Sequence, residues 1–455
     1  MWILTGKFNK FSELKLAWPI FISSILSMSL GYVDTYMLTG YSEEAVAAIS
    51  NANSVMSMLT LAFTVVSSAT GILTAQYLGA KRTDKLNQVY TVSMLFNFCL
   101  SLFVGTLLVV FNKNFLAFLN TPESLVKDAS TYIIIVGSMI FAHSIFSTFD
   151  QIFRSNGKTK IGMVLAFAMS IINIIGDYSV VYGPLKQYNF GVAGVAVATV
   201  LSRLAMVIVA IIYFKCKIEG KISFKFLKPF PINILKQLLK LGIPTAGEKI
   251  SYTFSQTVIM SIVNTIAVAS AMGTAVINTR AYCDMICMVA YVFTMSLGIG
   301  TEIVVGHSVG AKNYDYAYKR VLKMLSVGMV ISMSLAVVNF FISDYTLGLF
   351  TNNIEILKLG KKVMFVAMFL ELGRTVNLIV INAMKASGDV KFPTTIGIIS
   401  MWGIAVLMAY VLGVVFGLGL VGVWIAMAMD EIFRGIIVLI RWKKGTWKNK
   451  RIVED

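Results

Sequence analysis

Four polar side chains that can hold a small cation lie in apolar stretches of the first half of the chain. Asp34 and Asp177 each stand six residues before a glycine that ends their stretch, so we expect the two carboxylates at a similar depth. Asn173 precedes Asp177 by four residues, which places both on one helix face. Thr199 adds a hydroxyl from the following stretch. These groups predict a site for Na⁺, with Asp34, Asn173, Asp177 and Thr199 as metal ligands, or a site that binds a proton. The alternative is that the two carboxylates pair with a base such as Arg203 and have only a structural role.

The second half has another set of ionisable residues inside apolar stretches, where charge is costly. Arg280 and Asp284 are four residues apart, and Glu371 and Arg374 are three apart. At these spacings opposite charges neutralise each other within one helix, which is the interpretation we favour for both pairs. Glu248 has only an adjacent lysine, which points elsewhere on the helix, and is equally compatible with a functional acid. We therefore predict that Glu248, Asp284, Glu371 and Arg280 are substrate-cavity or second-lobe polar residues.

The composition shows what kind of elements must position these groups. The chain is 57% hydrophobic and 13% charged, with a mean hydropathy of +0.79. A soluble protein usually has about twice that charged fraction, and a transmembrane β-barrel would alternate in segments of about ten residues. The apolar residues instead form runs long enough to cross a bilayer as helices. The sequence predicts an all-α polytopic membrane protein.

Twelve apolar segments are expected to be the transmembrane helices. They cover roughly residues 14–38, 45–77, 89–111, 131–149, 161–182, 191–214, 232–269, 275–310, 322–343, 355–384, 394–416 and 418–440. The net charge of +17 comes largely from lysines and arginines in alternate loops. We therefore expect no nucleic-acid partner and place the basic loops and both termini in the cytoplasm. The predicted location is the cytoplasmic membrane of a bacterium.

The chain repeats itself with an offset of about 231 residues. Gly79-Ala80-Lys81 recurs as Gly310-Ala311-Lys312, and the glycine at 157 recurs at 388. Six crossings in each half give both halves the same orientation, as in transporters built from parallel repeats. We predict two pseudo-symmetric six-helix lobes, residues 1–220 and 221–455, joined by a cytoplasmic linker at about 215–236.

The chain resembles the multidrug and toxic-compound extrusion (MATE) family of cation-coupled exporters over almost its whole length. The motifs that carry this resemblance are Val33-Asp34-Thr35-Tyr36-Met37, Gln76-Tyr77-Leu78-Gly79-Ala80-Lys81, Phe153-Arg154-Ser155-Asn156-Gly157, Asn173-Ile174-Ile175-Gly176-Asp177, Gly191-Val192-Ala193-Gly194-Val195-Ala196 and Gly242-Ile243-Pro244. The resemblance implies a V-shaped pair of lobes around a central cavity. It also implies that Asp34, Asn173, Asp177 and Thr199 match the family's first-lobe cation site. The second lobe departs from the family pattern, since Glu248 follows Pro244 by only four residues.

These observations together predict a secondary antiporter. It would export an organic, cationic and amphipathic compound by alternating access in exchange for Na⁺ or H⁺, as a monomer in the lipid bilayer and without a cofactor. One alternative is a flippase for a lipid-linked oligosaccharide, which usually needs a strongly cationic cavity. The other is an intramembrane enzyme, which we do not favour because the sequence has no HExxH motif and no dedicated cysteine–histidine site.

Overall fold

The computed structural model describes residues 12–39 and 42–453, apart from the side chains of Ser12, Tyr32, Asp34 and Thr35. Every regular element in this part of the chain is a helix. The helices form two compact units. The N unit is Pro19–Gly242, and the C unit contains the chain from Ile243 onward together with the described residues up to Trp18. Each unit has its own apolar core, which is the property that defines a domain.

Nine helices lie wholly or mainly in the N unit. They are α1 (Ser12–Thr39), α2 (Glu43–Thr60), α3 (Phe63–Gly79), α4 (Thr83–Val110), α5 (Asn112–Phe118), α6 (Glu123–Ser138), α7 (Ile140–Ser155), α8 (Thr159–Val181) and α9 (Gly191–Lys217). Helices α2 and α3 meet at a bend of 49°, and α6 and α7 at a bend of 52°. Each bent pair occupies the place of one predicted segment.

The remaining helices lie wholly or mainly in the C unit. They are α10 (Ile232–Ala269), α11 (Thr274–Gly310), α12 (Tyr314–Phe341), α13 (Ser343–Gly348), α14 (Ile354–Ser387), α15 (Lys391–Ser400), α16 (Leu407–Tyr410) and α17 (Gly419–Lys444). Short π-helical stretches flank α16, so that Lys391–Val415 forms one span.

The all-helical membrane architecture is confirmed. In the described part of the chain, nine helices are long and apolar enough to cross a bilayer, and the two bent pairs raise the number to eleven. The twelfth predicted segment corresponds to α17, which carries the charged residues Asp430, Glu431 and Arg434 near its middle. The span predicted at 131–149 begins earlier, at Glu123, and the segment predicted at 45–77 contains a bend.

The duplication is visible in the backbone. Adding 231 to the ends of α4 gives the ends of α12, and adding 231 to Glu43 and Gly79 gives the ends of α11. The turn after the repeated Gly-Ala has the same conformation in both copies, with φ of 59° at Lys81 and at Lys312. A left-handed lysine is uncommon, so its occurrence at both equivalent positions reflects one conserved turn.

The compact units differ from the predicted halves at two ends. The prediction placed the boundary between residues 220 and 221, within the linker. In the structure, the first turns of α1 belong to the C unit, and the first turns of α10 belong to the N unit. One reason is a buried ion pair that Glu13 of α1 forms with Arg320 of α12.

Candidate ion site and the charged residues of the C unit

Three of the four predicted cation ligands converge between α8 and α9. The Asn173 Nδ2 group donates to Asp177 Oδ2 at 3.1 Å and to Thr199 Oγ1 at 3.4 Å. Asp177 is fully buried, and Thr199 is nearly so. Asn173 and Asp177 share a face because they are one helical turn apart, while Thr199 is supplied by the neighbouring helix.

The geometry suits a small cation. Because one amide group donates to both oxygens, Asp177 Oδ2 and Thr199 Oγ1 face a common point. With the Asn173 amide turned away from that point, the same two oxygens would face a cation there; that these residues bind a cation stays a prediction. The Thr199 hydroxyl donates to the carbonyl of Val195 at 3.1 Å, which leaves its lone pairs available for that point.

Asp34, the fourth predicted ligand, lies on α1 within the N unit. Its side chain is outside the described residues. Its participation in the ion site therefore stays a prediction.

In the C unit, the two pairs expected from spacing are ion pairs. Arg280 and Asp284 approach to 3.5 Å, and Arg374 and Glu371 to 2.6 Å. The Arg374 guanidinium also lies 5.4 Å from the ring centre of Tyr291. Both pairs therefore neutralise charge within one helix.

The surroundings of Glu248 differ from those predicted. Sequence neighbours suggested that this acid has no suitable base, but Lys385 Nζ of α14 lies 2.8 Å from its Oε2. The Thr394 hydroxyl also donates to Oε2, at 3.1 Å. The interpretation of Glu248 as an unpaired acid was wrong, because its partner comes from a helix more than a hundred residues away.

A charged cluster on α17 received no role in the sequence analysis. Arg434 lies 3.0 Å from both Asp430 and Glu431, and all three side chains are buried or nearly so. Asn377 of α14 donates to Glu431 Oε2 at 2.5 Å, which ties α17 to α14. The spacing of these three residues on one helix was a signal that could have identified the cluster.

Comparison with known proteins settles the family. The sequence profile of the MatE family matches residues 19–179 and again 244–411. The chain belongs to the MatE family. The two MatE matches fall on the two halves of the repeat, one within each compact unit.

Two curated MatE-like relatives align over nearly the entire chain. An uncharacterized transporter, YisQ of Bacillus subtilis, is 34% identical over 97% of this chain and 95% of its own length. A probable multidrug resistance protein, NorM of Thermotoga maritima, is 26% identical over 97% of this chain and 93% of its own. A solved structure of MATE in the bent conformation superposes with a TM-score of 0.87 at 19% identity, over 96% of each chain, which shows the same fold. This MatE protein is therefore a multi-pass membrane transporter.

Proposed function

We propose that this transporter exports an organic, cationic and amphipathic solute in exchange for Na⁺ or H⁺. The observation that carries the proposal is the convergence of Asp177, Asn173 and Thr199 inside the N unit. A carboxylate is costly to bury in a bilayer, which marks Asp177 as a functional candidate, and the amide and hydroxyl beside it supply further oxygen ligands for a cation. The name of the NorM relative, a probable multidrug resistance protein, supports an organic solute.

The proposed exchange is energetically sufficient. One monovalent cation that moves inward across ~100 mV releases about 2.3 kcal/mol. This free energy sustains roughly a 50-fold solute gradient before any chemical gradient of the ion is added.

A lipid-linked oligosaccharide flippase is less well supported by the charges of the C unit. Lys385, Arg280, Arg374 and Arg434 each have a carboxylate partner. Paired bases provide little excess positive charge for a pyrophosphate, so no specific observation favours this second function.

The test is transport of a cationic dye into proteoliposomes with Na⁺ and pH gradients imposed separately. We expect Asp177→Asn to abolish ion-driven transport while the protein remains folded, and Asp34→Asn to do the same. Asp84→Asn is the matched control, because Asp84 is an exposed aspartate of the same unit. Full ion-driven transport by Asp177→Asn would overturn the proposed site.

We also propose that the protein is a monomer of the cytoplasmic membrane with both termini and the 215–236 linker inside. The basic loops support this orientation. In a background without the native cysteines, Lys221→Cys should resist a membrane-impermeant thiol reagent added outside, and Glu43→Cys should react. The opposite labelling pattern would contradict the orientation.

A further inference from the structure

The segment that leaves α9 is fixed against α4. Residues 218–231, which we call the strap, run back along that helix and include one 3₁₀ turn at Phe224–Leu227. The backbone N–H of Lys221 donates to Asn87 Oδ1 at 2.6 Å, and the N–H of Ser223 donates to Thr91 Oγ1 at 3.3 Å. The strap therefore has a defined position rather than acting as a loose linker.

The α4 residues to which the strap is hydrogen-bonded determine its depth in the bilayer. Asn87 and Thr91 follow the start of α4 at Thr83 by four and eight residues, which correspond to about 6 and 12 Å along the helix axis. The basic turn at Lys81 and Arg82 lies just before that start. Since α4 has 28 residues and is therefore about 42 Å long, whereas the hydrocarbon core is about 30 Å thick, we expect its first turns, and the strap attached to them, at the level of the lipid headgroups and their boundary with the acyl chains.

The outer surface of the strap combines exposed apolar and basic side chains. Phe224 is 78% exposed and Phe230 is 46% exposed. Between and beside them, Lys221, Lys225 and Lys228 are also exposed. Four more exposed lysines flank the strap, at 215, 217, 236 and 240, whereas Glu219 is the only acidic residue between 215 and 240.

The equivalent segment of the C unit does not have this character. After α17 the chain also folds back, but its aromatic residue, Trp447, is fully buried and stacks on Trp442 with ring centres 4.1 Å apart. Exposed aromatic residues are therefore not a general consequence of the repeat.

We propose that the strap binds anionic phospholipid headgroups of the leaflet that it faces. Lys221, Lys225 and Lys228 would contact the phosphates, and Phe224 and Phe230 would insert at the interface. Each lysine near an anionic surface strengthens binding roughly fivefold, so the three together contribute on the order of a hundredfold. Under the proposed orientation this leaflet is the cytoplasmic one.

The experiment uses the full chain in nanodiscs of phosphatidylcholine, alone or mixed with an equal amount of phosphatidylglycerol. Amide hydrogen exchange of residues 218–231 reports the bound state, and spin-labelled phosphatidylglycerol reports its relative association constant. The test variant is Lys221→Gln/Lys225→Gln/Lys228→Gln. The matched control, Lys113→Gln/Lys127→Gln/Lys186→Gln, removes the same charge from three exposed lysines elsewhere in the N unit.

We expect phosphatidylglycerol to slow exchange in the strap of the unmodified chain and of the control, but not of the test variant. The test variant should also lose at least tenfold in preference for phosphatidylglycerol. Phe224→Ser should reduce the protection, whereas Phe118→Ser, at a similarly exposed position, should not. Equal losses in the test and control variants, or protection by soluble glycerol phosphate alone, would overturn the proposal. Neither readout requires transport, so failure of the antiport proposal would be recognised separately.

Discussion

At the residue scale, three ion pairs lie within the membrane-spanning helices of the C unit. Glu248 with Lys385, Glu371 with Arg374, and Asp430 with Arg434 are all at 3.0 Å or less. Pairing reduces the cost of placing these groups in a low-dielectric interior, although removal of one partner then leaves the other uncompensated.

Glu248→Gln should therefore destabilise the protein. The change leaves Lys385 without its carboxylate in a site where both side chains are nearly buried, at an expected cost of about 3–5 kcal/mol. Thermal unfolding in detergent should show a clearly lower midpoint. The double variant Glu248→Gln/Lys385→Met should recover most of the loss, since it leaves no unpaired charge. A midpoint unchanged by Glu248→Gln alone would show that the pair does not stabilise the fold.

At the element scale, the two halves build equivalent spans differently. The span from Glu43 to Gly79 is bent, but its counterpart α11 is one continuous helix. The span from Glu123 to Ser155 is also bent, but its counterpart α14 is continuous. The second bend follows a Gly-Ser pair at 137–138, a known cause of kinks, whereas the first lies at Leu61-Ala62 and has no such signal.

Helix α10 offers a matched pair of glycines for a stability test. A Cβ at Gly242 would overlap the carbonyl oxygen of Val65, but a Cβ at Gly247 would meet nothing within 4 Å. Gly242→Ala should therefore force the backbones apart and cost about 1–3 kcal/mol or more. Gly247→Ala should be neutral or stabilise by up to about 1 kcal/mol through helix propensity. Thermal unfolding of the two variants checks this, and equal midpoints would contradict the close approach at Gly242.

Local spacing predicted much of this fold, and long-range pairing was what it missed. Hydrophobic run lengths located the spans, and the four-residue separation of Asn173 and Asp177 placed them on one face. To place Thr199 beside Asn173, the depths of α8 and α9 in the bilayer also had to be matched correctly. The Glu248–Lys385 contact joins residues 137 positions apart, so no periodicity along one helix could reveal it.

At the scale of the whole molecule, α1 belongs to both compact units. Glu13 is fully buried in the C unit, where Arg320 Nε donates to its Oε1 at 2.6 Å and Nη2 contacts Oε2. From Pro19 onward the same helix belongs to the N unit and carries Asp34. The start of α1 is thus held by charge pairing in one unit while the rest of the helix packs in the other.

Glu13→Gln should release this attachment. It leaves Arg320 unpaired in a buried site, at an expected cost of about 3–5 kcal/mol. Asp315→Asn is the control, because Asp315 lies on α12, as Arg320 does, but its ion pair with Lys448 is exposed. This change should alter the free energy of unfolding by no more than about 0.5 kcal/mol. Hydrogen exchange of residues 13–18 should accelerate in Glu13→Gln alone. If both variants exchange at the same rate, the ion pair does not hold the start of α1.

The position of this ion pair in the chain also affects how the protein is made. Glu13 is synthesised before its partner, which is 307 residues further along the chain. At about 5–20 residues per second, synthesis of Arg320 follows roughly 15 to 60 s later. During that interval Glu13 cannot yet pair with Arg320, although the chain of the N unit, Pro19–Gly242, is made within it. The pairing of α1 with the newly made α12 therefore waits until translation has passed Arg320, so the C unit cannot be complete before that point, whereas all residues of the N unit have been made by then.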